Sequence, residues 1–531
     1  MLMKKLTHSK KNIFSIFCSE RVIVTISILF LLVLGIFLHD DFGIHWDSEQ
    51  QQRMGRLNTS YILDRNESFY TYNNRYHGPL FEILLFIITK DMPEQKIYFT
   101  RHLVTYLFFL LGVVAFYFLN QRIIKKWPLA LLCCAMLVIS PRIFGDAFYN
   151  SKDIPFLVAF IFSILTLHLL LEKKNIVCII IHCLSSAILI ALRTPGVIIM
   201  GFTLGFLSLD LIILRNSKWK SMIFQGVLYI ILTCLFTYLF WPILWHDPFT
   251  EIQNAFQTMS HFPWRGGVVL YRGNFIESTE LPWHYIPVWM VSTIPLGYLS
   301  FAFIGFIDNL RTFFQFKSNL YFQSVRDFLL IIAWLLIPIM SVILLKSVVY
   351  DAWRHLFFIY PAVIIFAVMG LKTLLNTRWG KISPTISLGF VGLLMLISIA
   401  EPLIFMVRNH PLEMVYFNQL VNKRNLRIRQ YFEMEYWGLS YRQGLEYVLA
   451  ANPGEQIRIK VANSPGILNA KLLSQTDRDR LVYVSKPEEA DYFLTNYRYH
   501  PEDYDYPDEV FNIIIGDEKV FSVFQMGSSQ Q

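Results

Sequence analysis

Eleven apolar stretches, most of them long enough to cross a bilayer, recur through the first three quarters of this sequence. They lie at 22–38, 99–119, 128–144, 154–171, 176–192, 195–214, 221–241, 284–306, 327–346, 354–371 and 385–407. A hydrocarbon core about 30 Å thick takes roughly 20 apolar residues per helix. Within it only helices or closed barrels satisfy their own backbone hydrogen bonds. Runs of this length predict helices, so the fold class is an all-α polytopic membrane domain of about 11 transmembrane helices. Charge supports this: 16% of the 531 residues are charged, against about 25% in soluble domains.

The formal net charge of +8 does not point to nucleic acid, because the basic residues form no continuous stripe. They cluster instead in short connections: Lys4, Lys5, Lys10 and Lys11; Arg122, Lys125 and Lys126; Lys173 and Lys174; Arg215, Lys218 and Lys220; Arg378 and Lys381. With a cytoplasmic N-terminus and alternating spans, every one of these clusters falls on the inside, as the positive-inside rule requires. The same alternation places 39–98 (first outer loop), 142–153, 193–195, 242–283 (long outer loop), 347–353 and everything after 407 outside. The apolar run in 79–90 is too short to span and is expected to lie on the outer membrane surface. The six cysteines form no C-x-x-C pair, and all but Cys18 lie inside apolar runs, so they read as core residues.

The chain therefore divides into a membrane domain, 1–407, and a small extracytoplasmic α/β domain, 408–531. In the second, apolar spacing predicts a helix over 441–451. Alternation predicts a strand over 457–461, and further short strands are expected at 481–484 and 492–494. A hairpin over 510–524 turns at Gly516-Asp517-Glu518-Lys519.

Ionisable residues are costly in lipid, and here nearly all the charge is at span ends and in loops, densely so in the outer loops. The first outer loop opens His39-Asp40-Asp41-Phe42-Gly43-Ile44-His45-Trp46-Asp47-Ser48-Glu49-Gln50. A carboxylate there suits a general base, although a solvated acidic loop is an equal reading of the residues alone. Asp146 and Asp153 in the second outer loop are candidate oxygen ligands for a divalent cation such as Mg or Mn; Asp153 is also placed to N-cap the helix that follows it. Arg193 and Arg354 end apolar runs, where guanidinium groups meet phosphate or snorkel to headgroups. The long outer loop carries Trp264 and Trp283, whose aromatic faces suit sugar stacking or interface anchoring. No H-E-x-x-H motif is present.

Taken together, these segments resemble the GT-C glycosyltransferases, in particular the family-39-like group related to protein O-mannosyltransferases and aminoarabinose transferases of lipid A. Gly43-Ile44-His45-Trp46-Asp47 is similar to the G-I-S-W-D-E motif of that group, and Tyr76-His77-Gly78-Pro79-Leu80 to its H-P-P-L segment. Asn150-Ser151-Lys152-Asp153-Ile154-Pro155-Phe156 resembles an N-P-K-D-x-P-F loop. Tyr350-Asp351-Ala352-Trp353-Arg354-His355, through Tyr360-Pro361, resembles the Y-R-Y-x-x-P-x-x-P region. The resemblance implies a polyprenyl-phosphate-linked sugar as donor, inverting transfer to a glycan, lipid or protein acceptor, and Asp47 as base. The acidic residue that usually follows this Asp is Ser48 here, which leaves Glu49 as the candidate second carboxylate. Lys152, Arg193, Arg354 and His355 are then expected to hold the donor phosphate, and His77, Trp264, Trp283 and Tyr350 the sugar or acceptor. A bacterial inner membrane is the expected location. An exporter or flippase of lipid-linked glycans would share the phosphate-binding residues but need no base.

Overall fold

Two prolines shape the membrane part. The computed structural model describes residues 19–214, 219–260, 267–315, 322–380, 383–422 and 427–527. Among these, eight helices are long and apolar enough to cross a membrane: Glu20–Leu38, Glu94–Ile124, Asp153–Lys173, Thr194–Ile212, Trp219–Phe240, Val325–Leu344, Arg354–Asn376 and Pro384–Asn409. Two further predicted spans, 128–144 and 284–306, are not straight. The first is Trp127–Val138 followed by Pro141–Tyr149 at 69°, and the second is Tyr285–Thr293 followed by Leu296–Phe314 at 116°. Pro141 and Pro295 sit at the breaks, where the missing N–H and the restricted preceding residue prevent helix continuation. The eleventh counterpart, Ile176–Leu192, has 17 residues. The chain is an integral membrane protein.

The predicted surface segment is the ten-residue helix Leu80–Thr89. One face of it, Phe81, Glu82, Ile83 and Leu85, is buried against the Ser48–Asp64 and Glu94–Ile124 helices, and the other, Leu84, Ile87 and Ile88, is exposed and apolar.

Helices also meet closely where side chains are absent. Leu296–Phe314 crosses Tyr360–Asn376 with Gly305 against Gly370. A Cβ at Gly305 would lie 2.0 Å from the carbonyl oxygen of Phe366, and one at Gly370 2.0 Å from that of Phe301. Between apolar helices in lipid, such contact between small residues is a principal source of adhesion.

Packing changes hands near residue 440. Leu412, Met414, Phe417, Phe432, Trp437 and Leu439 belong to the main core. Tyr441, Leu445, Ile459, Leu494 and Phe521 build a separate one. The second core lies between the Tyr441–Ala451 helix and a five-stranded sheet ordered Leu481–Tyr483, Ile457–Val461, Tyr492–Thr495, Glu518–Gln525 and Asp508–Ile515. The first three strands run parallel, and the last two form an antiparallel hairpin. In the long loop 242–283, a hairpin of Val268–Tyr271 and Asn274–Glu277 bridges through Tyr271 to Phe432.

Gly370→Ala is expected to push the two helices apart and cost about 1–3 kcal/mol through overpacking. A thermal melt of the detergent-solubilised protein should show a lower Tm for this variant. Gly201→Ala, where nothing lies within 4 Å of the added Cβ, should leave Tm unchanged.

Candidate active site

The acidic loop after the first helix is held from behind by the C-terminal part of the chain. At Gly43 a Cβ would meet the carbonyl oxygen of Leu439 at 2.4 Å, so the backbone approaches as only glycine allows. The next residue, Ile44, exchanges two hydrogen bonds with buried Asn469: its N–H donates to Oδ1 (2.8 Å), and Nδ2 donates to its carbonyl (2.9 Å). The Trp46 N–H donates to the carbonyl of Trp437 (3.1 Å). Burial depresses the His45 imidazole to about 3, against the pull of the Asp47 carboxylate, so this ring is neutral. The loop thus delivers Asp47 to the start of the Ser48–Asp64 helix. There its carboxylate, about a quarter exposed (27%), lines a cavity of about 700 Å³.

Behind Asp47 lies a buried guanidinium. Arg354 Nη1 is 3.0 Å from Asp153 Oδ2, and its Nη2 is 3.0 Å from Asp351 Oδ2 and 3.7 Å from Asp47 Oδ2. Its plane also packs against the rings of Trp437 (4.5 Å) and Tyr350 (4.9 Å). Asp153 is clamped a second time by Arg193, and Asp351 by Arg498 at 2.6 Å. Arg498 follows the Tyr492–Thr495 strand, rests over the Trp46 ring (5.0 Å) and lines the same cavity.

A second network forms the floor. Buried Glu82 pairs with Arg101 (2.6 Å) and accepts from the Ser151 hydroxyl (2.5 Å). Ser151 Oγ also lies 2.7 Å from Gln51 Oε1. Beside it, burial and the neighbouring Arg193 guanidinium lower the Lys152 ammonium to about 8, against the pull of Asp47 and Asp153. His77 is pushed well below the usual histidine range by burial and by Lys152 and Arg193. Burial raises the Tyr350 phenol to about 12.

The charges on the cavity wall can now be sorted. Among the described residues, Glu82 and Asp351 are paired with arginines at 3.0 Å or less. Lys152, Arg53 and Arg56 also line the cavity, and none of the three has a described carboxylate within 4.0 Å. Among the described residues of the wall, what remains is one partly open carboxylate, Asp47, in the same cavity as three cations without ion-pair partners.

No protein-family profile matches the chain, and no curated protein matches it in sequence. Solved structures do match. ArnT from Cupriavidus metallidurans in the apo state superposes with a TM-score of 0.50 at 12% identity, over 95% of this chain and 99% of that one. The chain has the ArnT fold. ArnT from the same organism bound to undecaprenyl phosphate gives a TM-score of 0.47 at 12% identity, over 96% and 98% of the two chains. The expected GT-C architecture, a polytopic helical domain with a small C-terminal domain, is therefore the observed one.

Within this ArnT fold, the sequence-predicted residues part company. Asp47, His77, Lys152 and Tyr350 line one cavity, and His355 backs it, edge-on to Tyr350 at 4.7 Å. Glu49 does not join them. It is 62% exposed and paired with Lys471 at 3.3 Å, because two residues along the helix turn it to another face. Trp283 is 68% exposed and is not part of the cavity lining; Trp264 lies outside the described residues. Arg193 and Arg354 were expected to hold phosphate, but the carboxylates of Asp153 and Asp351 engage them first.

Asp146 and Asp153 do not make a metal site. One Asn150 amide bridges them (2.7 and 3.0 Å), Trp437 Nε1 donates to Asp146 (3.3 Å), and the guanidinium groups of Arg193 and Arg354 occupy Asp153. Among the described residues no group of three His, Cys, Asp or Glu side chains could hold an ion. Asp153 does not cap its own helix either: Asn150 Oδ1 accepts from the Asp153 N–H (2.9 Å), leaving the Asp153 carboxylate to the arginines.

Sequence reasoning missed Glu82, Arg101, Arg53, Arg56, Asn469 and Arg498. Glu82 and Arg101 carried a readable signal, each being a lone charge in an apolar run; Asn469 and Arg498 carried none.

Arg101→Met strands the buried Glu82 carboxylate and is expected to cost about 3–5 kcal/mol, while Arg101→Met combined with Glu82→Met removes both charges and restores most of that loss. Thermal melts of the three proteins in one detergent measure the difference.

Proposed function

We propose that this chain is a glycosyltransferase that moves a sugar from a polyprenyl-phosphate carrier to an acceptor at the outer face of the membrane, with inversion at the anomeric carbon. The observation that carries this reading is the sorted charge of the cavity: a single partly open carboxylate, Asp47, beside cations without ion-pair partners. A lipid-phosphate sugar presents a negative phosphate and an electrophilic carbon within one bond of each other, and the cavity offers the complement of both.

In the proposed reaction the acceptor hydroxyl or amine gives its proton to Asp47 while its lone pair attacks the anomeric carbon. The carbon–oxygen bond to phosphate breaks, and the pair leaves with the phosphate. Lys152, with Arg53 and Arg56 at the rim, stabilises the charge that develops there. Arg354 and Arg193 act at one remove: they fix Asp47 and Asp153 and keep the wall rigid. His77, neutral, and Tyr350, protonated, are suited to hydrogen-bond sugar hydroxyls. The residues named here supply an acid–base and electrostatic mechanism.

Asp47→Asn keeps size and shape but removes the base. Its expected effect is a loss of about 10²–10⁴ in transfer rate, measured with purified protein in detergent, a polyprenyl-phosphate sugar and a soluble acceptor. Turnover close to wild type would remove Asp47 from the role. Transfer in detergent, where no gradient exists, also separates an enzyme from an exporter, which would move nothing.

A second consequence concerns pH. Burial and Arg193 lower the Lys152 ammonium to about 8, and a bound phosphate must raise that value. The part of carrier affinity that the Lys152 charge contributes is therefore fully present below about pH 8 and falls above it, by at most tenfold per pH unit. Lys152→Arg, with a charge that does not titrate in this range, should flatten the profile; titrations of polyprenyl phosphate between pH 6 and 10 measure both.

A further inference from the structure

The helices that carry the cavity also define a second polar pocket at their opposite ends. Glu94–Ile124 has Arg101 near its first turns and ends at Lys125. Arg354–Asn376 begins with the arginine behind Asp47 and passes Lys372 near its end. A 31-residue helix is about 46 Å long, so these far ends lie on the other side of the membrane from Asp47.

There, Lys125, Lys126, Lys372, Asp308, Asn309, Asp327, Thr373 and Asn376 surround a pocket of about 610 Å³. Four separate helix ends supply the lining. Both carboxylates are engaged: Asp308 accepts from the Thr373 hydroxyl at 2.7 Å, and Asp327 lies 3.1 Å from Nε2 of buried His168. None of the three lysines has a described carboxylate within 4.0 Å. Positive-inside topology alone accounts for lysines on this side. It does not account for their converging from two separate helices on one concave, polar-walled pocket.

The surroundings fix the depth. Trp127 directly follows Lys126, and Trp379 lies seven residues after Lys372, just past its helix; both are only partly buried, as interfacial tryptophans are. Leu375, next to Asn376 of the lining, and Phe390, against the Trp379 ring at 5.9 Å, are exposed and apolar, a surface that lipid can cover.

We infer that this pocket binds the phosphate of an anionic phospholipid headgroup from the leaflet opposite the catalytic cavity, with Lys125, Lys126 and Lys372 as its cationic contacts. Basic pockets between transmembrane helices bind such headgroups in this way. The site is separate from the proposed transfer chemistry and shares no residue with it.

Native mass spectrometry of the full chain, delipidated in detergent and titrated with dioctanoyl phosphatidylglycerol, tests the assignment. Lys125→Asn, which suits the left-handed backbone there (φ 59°), is combined with Lys126→Gln and Lys372→Gln. The triple variant is expected to bind the lipid at least tenfold more weakly than wild type, and Lys372→Arg alone to bind it normally. Should the triple variant not fold, the exposed pair Lys125→Asn and Lys126→Gln should still weaken binding severalfold. Equal phosphatidylglycerol binding by wild type and the charge-depleted variants overturns the proposal, and so does equal binding of dioctanoyl phosphatidylcholine to wild type. Inorganic phosphate that displaces the lipid at matched concentration would assign the pocket to a soluble anion and overturn the lipid source.

Discussion

A guanidinium with almost no exposed surface, Arg354, is the constraint from which the cavity face of this molecule is built. Removing such a charge from water costs several kcal/mol, which is offset only by close partners of opposite sign. Arg354 finds them in Asp153, Asp351 and, more loosely, Asp47. These residues come from the start of one helix, from the turn before Arg354 and from the loop after the first span. Asp351 also binds Arg498 from the C-terminal domain. One buried cation therefore ties four distant stretches of chain into a single geometry, and each carboxylate is held where its partner requires.

That pairing decides which charges remain free to act. In a membrane face dense with Asp, Glu, Arg and Lys, the proposed chemistry rests on what is left after the internal pairs close. Glu82 is neutralised by Arg101 and Asp351 by two arginines. Asp47 sits at the looser end of the Arg354 network, 3.7 Å away, close enough to be oriented by it and still partly exposed to the cavity. Lys152, adjacent in sequence to Asp153, escapes the pairing that captures its neighbour and faces the cavity.

Much of this was legible in the sequence because it follows from periodicity and cost. The predicted spans all have helical counterparts, and the C-terminal helix and strands fall within a few residues of where apolar spacing put them. The bends at Pro141 and Pro295 were missed, although both prolines were visible, since hydropathy measures a span's apolar content and not its straightness. Asp47, Lys152, His77 and Tyr350 converge because short motifs mark them. Spacing says nothing about which face of a helix a residue takes, and so Glu49 was misplaced. The contacts of Arg498 and Asn469 with the acidic loop span more than 400 residues in the case of Asn469 and Ile44; no local pattern encodes them.

Depth is the last constraint. The Glu94–Ile124 helix, about 46 Å long, covers the full thickness of a bilayer with its headgroup layers, about 40–45 Å. Arg101 lies about 10 Å from its first residue, and its partner Glu82 forms the cavity floor. On that scale the floor lies near the boundary between headgroups and hydrocarbon. A polyprenyl carrier cannot raise its phosphate far above that level without drawing its hydrocarbon tail into water, at about 0.8 kcal/mol for each CH₂ exposed. The proposed transfer would therefore need its base at the headgroup plane; the helix Leu80–Thr89, which carries Glu82, and the clamped loop before Asp47 set the depth of these side chains.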